Sequence, residues 1–166
     1  MKKSLDVPYI AQKQLYCGLA CMSMVLQYHR RPFSQDTLAS VVKDIYGYDV
    51  SDTQRDDPGI EYWQLATIPA MMGCKVQTVY NLTFEDITQN IETDHPLIAR
   101  HGWGDQGPMN AAHFVVLRGY DQEQKTVMFH DPYYPERKEE PFSEFEKLWH
   151  VYRHKFPSKN YGIILL

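Results

Sequence analysis

Long runs of like charge, a secretory leader and a membrane-length apolar window are all missing from this 166-residue chain. Lysine and arginine number 17 against 21 aspartates and glutamates, for a formal net charge of -4. Neither sign is gathered into a tract that could follow a phosphate backbone or an anionic bilayer. Nucleic acid and membrane surfaces are therefore not expected partners. The opening MKKSLDVPYIAQ is basic, but Asp6 and Pro8 stand where a leader would carry an apolar core of about 7 to 15 residues. No window approaches the roughly 20 apolar residues of a membrane-spanning helix. The expectation is a soluble, cytoplasmic protein, with a removed leader or non-classical export as the open alternatives.

Cysteine is scarce too. Cys17, Cys21 and Cys74 are an odd number and too few for a secreted disulfide scaffold, so free thiols are expected. Cys17 and Cys21, four apart, suit contact along one helix face but not a disulfide within it. C-x3-C without a second pair is poor spacing for structural zinc, and neither a metal nor a cofactor is expected. Internal repeats and low-complexity segments are also absent. What is present is core material: 43% of residues are hydrophobic and 13% aromatic, enough for a single domain over residues 1–166.

After Gly18 the residues Cys21, Met24, Val25 and Tyr28 fall at helical spacing, predicting a first helix from about Cys17. SQDTLASVVKDIYG begins with a capping serine, places Leu38, Val41, Val42 and Ile45 on one face and ends at Gly47, predicting a second. Tyr48 to Gly59 is rich in aspartate and reads as a surface loop. IEYWQLATIPAMMG puts Leu65, Ile68 and Met72 on one face of a third helix, with Pro69 expected to kink it or shift its start. CKVQTVY then reads as a strand and LTFEDITQNIE as a helix capped by Thr83. PLIAR, HFVVLRGY, TVMFHD and YGIILL read as further strands, and SEFEKLW as one or two helical turns. Helices first and a largely antiparallel sheet second predict an α+β protein with two lobes around one cleft.

Three residues could carry chemistry together. A cysteine at a helix N-terminus has its thiolate favoured by unpaired N–H groups and the positive end of the helix dipole, and Cys17 holds that position, with Gly18 leaving the approach open. His113 opens the strand HFVVLRGY, where its ring can face a cleft. Asp131 closes the neighbouring strand before Pro132, and the hairpin between the two strands can bring it beside His113. A cysteine attacks a carbonyl, a histidine moves the proton and an aspartate fixes the imidazole tautomer, and this chain order is that of papain-like enzymes. Cys21 and Cys74 read as core. Arg100 to His113 is glycine-rich and reads as a connection or as a cleft wall, with Trp103 shaping a subsite and Gly102 and Gly104 leaving room for a substrate backbone. His101 and His130 lie nearby in sequence but outside the motif positions.

VPYIAQ with YCGLACMSMVLQYH, GIEYWQLATIPAMMGCKV, and AHFVVLRGYD with VMFHDPYYPERKEEPFSEFEKLW together resemble the bacteriocin-processing double-glycine peptidases, cysteine peptidase family thirty-nine. The resemblance covers most of the chain. It implies a papain-like peptidase fold with a helical N-terminal lobe, a C-terminal antiparallel β-sheet lobe and the active site between them. It implies Cys17 as nucleophile, His113 as general base and acid, and Asp131 as the orienting acid. It also implies a glutamine before the cysteine as oxyanion donor. Gln12 is the best match, one residue nearer the cysteine than in exporter-linked members, and Gln14 is the second candidate. Tyr16 replaces the aspartate usual before the cysteine.

The expected activity is hydrolysis of peptide bonds in a peptide or protein substrate, with Gly-Gly or other small residues as the candidate cleavage site and no transporter domain in this chain. The same triad could instead serve acyl transfer or glutamine deamidation. A non-catalytic binding module on a peptidase scaffold is the reading from another class.

Overall fold

Twelve elements follow one another in the computed structural model, which describes residues 1–56, 58–102, 112–135, 137–149 and 160–166. They are β1 (Lys2–Ser4), α1 (Cys17–Tyr28), α2 (Gln35–Tyr46), α3 (Tyr62–Met71), β2 (Val76–Val79), α4 (Phe84–Glu92), β3 (Leu97–Gly102), β4 (Ala112–Asp121), β5 (Thr126–His130), β6 (Arg137–Pro141), α5 (Phe142–Trp149) and β7 (Gly162–Leu165). Local chemistry sets most of the ends. Ser34 accepts from the Thr37 N–H and starts α2, and Gly47 ends it in the left-handed region at φ 74°. Thr83 and Asp86 form a reciprocal capping box at the start of α4.

The strands form one antiparallel sheet in the order β2-β7-β3-β4-β5-β6, with β1 also paired to β4. β4 is the long central strand. Along one edge it pairs with β3 from Ala112 to Leu117 and with β1 from Gly119 to Asp121. Side chains alternate across a strand, so the register assigns faces. Phe114 packs where α1 crosses, whereas His101, Phe129 and the α5 residue Phe145 meet on the other face. The sheet is therefore covered on both sides, by α1 on one and α5 on the other, and one hydrophobic cluster runs through both layers.

α1 differs from the expected one-sided helix. Every residue from Gly18 to Leu26 is buried, because the sheet, α2 and α3 enclose it. Gly18 is what lets it approach so closely. A Cβ there would lie 2.8 Å from Ile60 Cγ2 and 3.1 Å from the Phe114 ring. Its missing side chain thus serves packing, and the expectation that Gly18 leaves the thiol's approach open is corrected on that ground.

Other differences have equally local causes. Pro69 lies in the last turn of α3, so its missing N–H costs one bond near a helix end and the helix continues to Met71. The segment from Tyr48 to Gly59 is mostly exposed but pinned: Val50 is fully buried and the Arg55 guanidinium sits 3.5 Å over the Tyr48 ring. β1 and β6 were not expected. β6 is the polar run RKEEP on the sheet edge, where backbone pairing to β5 makes the strand without an apolar pattern. Among the described residues no helix is long and apolar enough to cross a membrane.

Candidate active site

Cys17 is the first residue of α1 and its thiol is half-buried. Tyr16 in the capping position supplies no side-chain bond, and the first turn holds no acidic residue. α2 and α4 each satisfy one first-turn N–H with a side-chain cap, whereas α1 has no such cap. Just before the turn, Leu15 stands at φ 63°, a conformation that costs an aliphatic residue about 1–3 kcal/mol.

β4 brings His113 to the same place. Its register with β5 pairs Val116 with His130, so Asp131, one residue on, comes opposite Val115 and diagonal to His113 on one face. The result is a hydrogen bond of 2.7 Å between His113 Nε2 and Asp131 Oδ1, with the imidazole only 1% exposed. The Cys17 thiol acts on the same ring, its hydrogen-bonding capacity and charge both raising the imidazole pKa. With Nε2 taken by Asp131, Nδ1 is the nitrogen left for the sulfur.

The electrostatics follow from these contacts. Burial pulls the His113 pKa down, but the Asp131 hydrogen bond, the Cys17 contact and the charges of both raise it to about 9. Burial pushes the Asp131 carboxyl up, yet the His113 bond and charge, the Tyr133 N–H at 2.9 Å and Lys138 hold it below the ordinary carboxylate value. Lys138 Nζ stands 4.0 Å from Asp131 Oδ2 and 3.9 Å from the centre of the Tyr134 ring. His101 lies directly opposite His113 in the ladder, stacked on Phe145 with ring centres 4.5 Å apart. Burial, and then the neighbouring His113, push its pKa down to about 4, so it stays neutral beside a ring that charges easily.

Gln12 and Gln14 part company. Gln14 is exposed. Gln12 is held by its backbone, its N–H donating to the Pro132 carbonyl at 2.9 Å, one residue beyond Asp131. Its side-chain Nε2 makes a long 3.4 Å contact to the Lys13 carbonyl, and its Oε1 is buried with no hydrogen-bond partner among the described residues. Half a turn of the amide exchanges the two ends and puts an N–H donor where that carbonyl sits. Cys21 is fully buried, which pushes its thiol pKa well up and makes it a packing residue. Cys74, expected in a strand core, is instead half-buried ahead of β2, with Arg31 at 3.4 Å from its sulfur. Gly102 is the buried last residue of β3, opposite Ala112, while Trp103 and Gly104 lie outside the described residues.

Sequence reasoning passed over His101 and Lys138. Both depend on strand pairing. His101 is noted in the sequence and set aside, its place opposite His113 emerging only once β3 is set against β4 in register, and Lys138 belongs to the unexpected strand β6.

The likeness to known proteins agrees with this architecture. The model of the Peptidase_C39 like family matches residues 4–156. Among solved structures, a candidate C39-like peptidase from Bacillus anthracis superposes with a TM-score of 0.77 at 17% identity, covering 100% of this chain and 98% of that one. The peptidase domain of Streptococcus ComA, a bifunctional ABC transporter of a quorum-sensing pathway, follows with a TM-score of 0.68 at 14% identity, covering 96% and 97%. A double-glycine-motif protease from an AMS/PCAT transporter, solved with its leader peptide, gives 0.64 at 19% identity, covering 98% and 93%. No curated protein matches the sequence. At such identities the structural likeness is one of fold, the papain-like α+β fold of C39 peptidase domains. With the family model spanning most of its length, this chain belongs to the C39-like peptidase family.

Proposed function

We propose that this protein is a thiol peptidase in which Cys17, His113 and Asp131 cut a peptide bond through an acyl-enzyme. One observation carries the reading: a single buried imidazole is bonded to Asp131 at 2.7 Å, and the thiol at the start of α1 acts on the same ring. Cys17 sulfur, having given its proton to His113 Nδ1, attacks the scissile carbonyl carbon. The oxyanion that forms is met by the Cys17 N–H, an unpaired first-turn donor, and by the Gln12 side-chain amide. His113 returns the proton to the leaving amine as the carbon–nitrogen bond breaks, leaving a thioester. It then takes a proton from water, whose oxygen displaces the sulfur and releases the acid. Asp131 keeps the ring turned so that Nδ1 does this work.

The substrate is a peptide cut after small residues, with Gly-Gly as the first sequence to try. This is supported by the leader peptide bound to a relative of the same fold and by family membership. Alkylation by iodoacetamide at neutral pH tests the nucleophile. Cys17 reacts much faster than Cys21 and Cys74, His113→Ala narrows the gap, and Cys17→Ala abolishes cleavage of Gly-Gly peptides. Three thiols reacting slowly and alike would refute the reading.

A further inference from the structure

Gln35, the first residue of α2, is only 8% exposed, and its side chain leaves the helix to bond a distant loop. Its Nε2 donates to the Ala11 carbonyl at 2.9 Å, and its Oε1 accepts from the Lys13 N–H at 3.0 Å. These two partners flank Gln12 on either side. The amide of Gln35 thus closes on the backbone as a neighbouring strand would, using both its donor and its acceptor on the two peptide units around Gln12. The Gln12 N–H itself is fixed to Pro132, and the Tyr9 hydroxyl donates to the same carbonyl at 3.0 Å. The backbone of Gln12 is therefore held between α2 and the turn that carries Asp131. The nearby Lys13–Asp36 pair is exposed and adds little to this hold.

We propose that Gln35 is a positioning residue for the oxyanion side of the site, acting through Gln12; the inference rests on Gln12 being the oxyanion donor. A donor aimed at a developing charge works only if its backbone is fixed before the charge appears, since a loose donor loses its advantage over water. Gln35 touches no substrate. It sets where the Gln12 side chain begins.

The test uses the whole chain and the p-nitrophenyl ester of N-acetyl-Gly-Gly, whose acylation of the thiol releases p-nitrophenol. Gln35→Met keeps the shape of the side chain and removes both bonds. The acylation rate at saturation falls about tenfold, less than the roughly 10²–10³ expected for loss of an oxyanion donor itself. KM and the rate of Cys17 alkylation by iodoacetamide stay within about twofold, because alkylation builds no oxyanion. Gln35→Glu, which keeps the acceptor for Lys13 and loses the donor for Ala11, restores part of the rate. In a Gln12→Ala background Gln35→Met has no further effect, since the residue it positions is gone. Equal losses with and without Gln12, a change confined to KM, or parallel loss of acylation and alkylation would each overturn the role. A fast Cys17 with unchanged acylation in both Gln35 variants overturns the positioning role alone. A wild-type Cys17 that alkylates no faster than Cys21 and Cys74 overturns the thiol peptidase reading and this inference with it.

Discussion

Asp131→Asn removes a charge from the site while keeping an oxygen that can accept from His113 Nε2. In the wild type, burial lowers the His113 pKa, and only the contacts with Asp131 and Cys17 lift it from 6.5 to about 9. Without the carboxylate charge the bond to His113 becomes a neutral one and the lift from Asp131 shrinks, so the ring titrates below about 9 while the Cys17 contact still opposes burial. With a pKa of about 9 roughly 97% of His113 is protonated at pH 7.5, and that fraction falls as the variant's pKa drops. Histidine ring resonances followed by NMR from pH 4 to 10 read this directly. Alkylation of Cys17 by iodoacetamide at pH 7.5 reads its consequence, a fall in step with the loss of imidazolium.

Stability carries the same signature. A histidine whose folded pKa is raised contributes its stabilisation in full below the unfolded value of 6.5 and loses it as pH rises through about 9. The displacement corresponds to about 3 kcal/mol, at about 1.4 kcal/mol for each tenfold change in proton affinity. At about 2–4 °C per kcal/mol for a chain of this size, the wild-type Tm falls more than that of Asp131→Asn between pH 6.5 and 10, the whole lift being worth at most about 6–12 °C. An imidazole that still titrates near 9 in Asp131→Asn, or two parallel melting profiles, would refute the assignment of Asp131 as the source of the shift.

Two further outcomes follow from buried contacts. Gly18→Ala forces a methyl to within 2.8 Å of Ile60 Cγ2 and 3.1 Å of the Phe114 ring. It costs about 1–3 kcal/mol, read by urea denaturation, while a cost below about 0.5 kcal/mol would show that α1 has slack against β4. His101, whose pKa burial lowers to about 4, contributes stability that is complete above 6.5 and lost as pH falls toward 4. His101→Phe keeps the stack on Phe145 and flattens the loss of Tm between pH 6.5 and 4, whereas an unchanged acid slope would place its origin elsewhere.

Much of this was legible from residue spacing because the causes are local. Ser34, Gly47 and Thr83 fix helix ends through bonds within a few residues, and the strands around His113 and Asp131 announce themselves by apolar runs. What sequence reading could not reach depends on partners far along the chain. β6 is polar and exists through pairing with β5, Gln35 meets Ala11 and Lys13 from across the fold, and His101 faces His113 only in register. Enclosure of α1 on all sides likewise needs the sheet, α2 and α3 together, so its helical face was visible and its full burial was not.

Four departures from local rules gather at one place. Leu15 is the one aliphatic residue at positive φ among the described residues, Tyr16 leaves α1 uncapped, Gln12 buries an unpartnered carbonyl, and His113 is a buried ring kept chargeable. Each is costly alone, and ordinary folding pressure would remove it: a polar cap at position 16, a turn residue at 15, an apolar side chain at 12. All four lie within the segment that leads into α1 or against its first residue. Costly features gathered at one place call for a reason there, and free donors, an unpaired amide and an ionisable pair are what the proposed attack on a carbonyl requires.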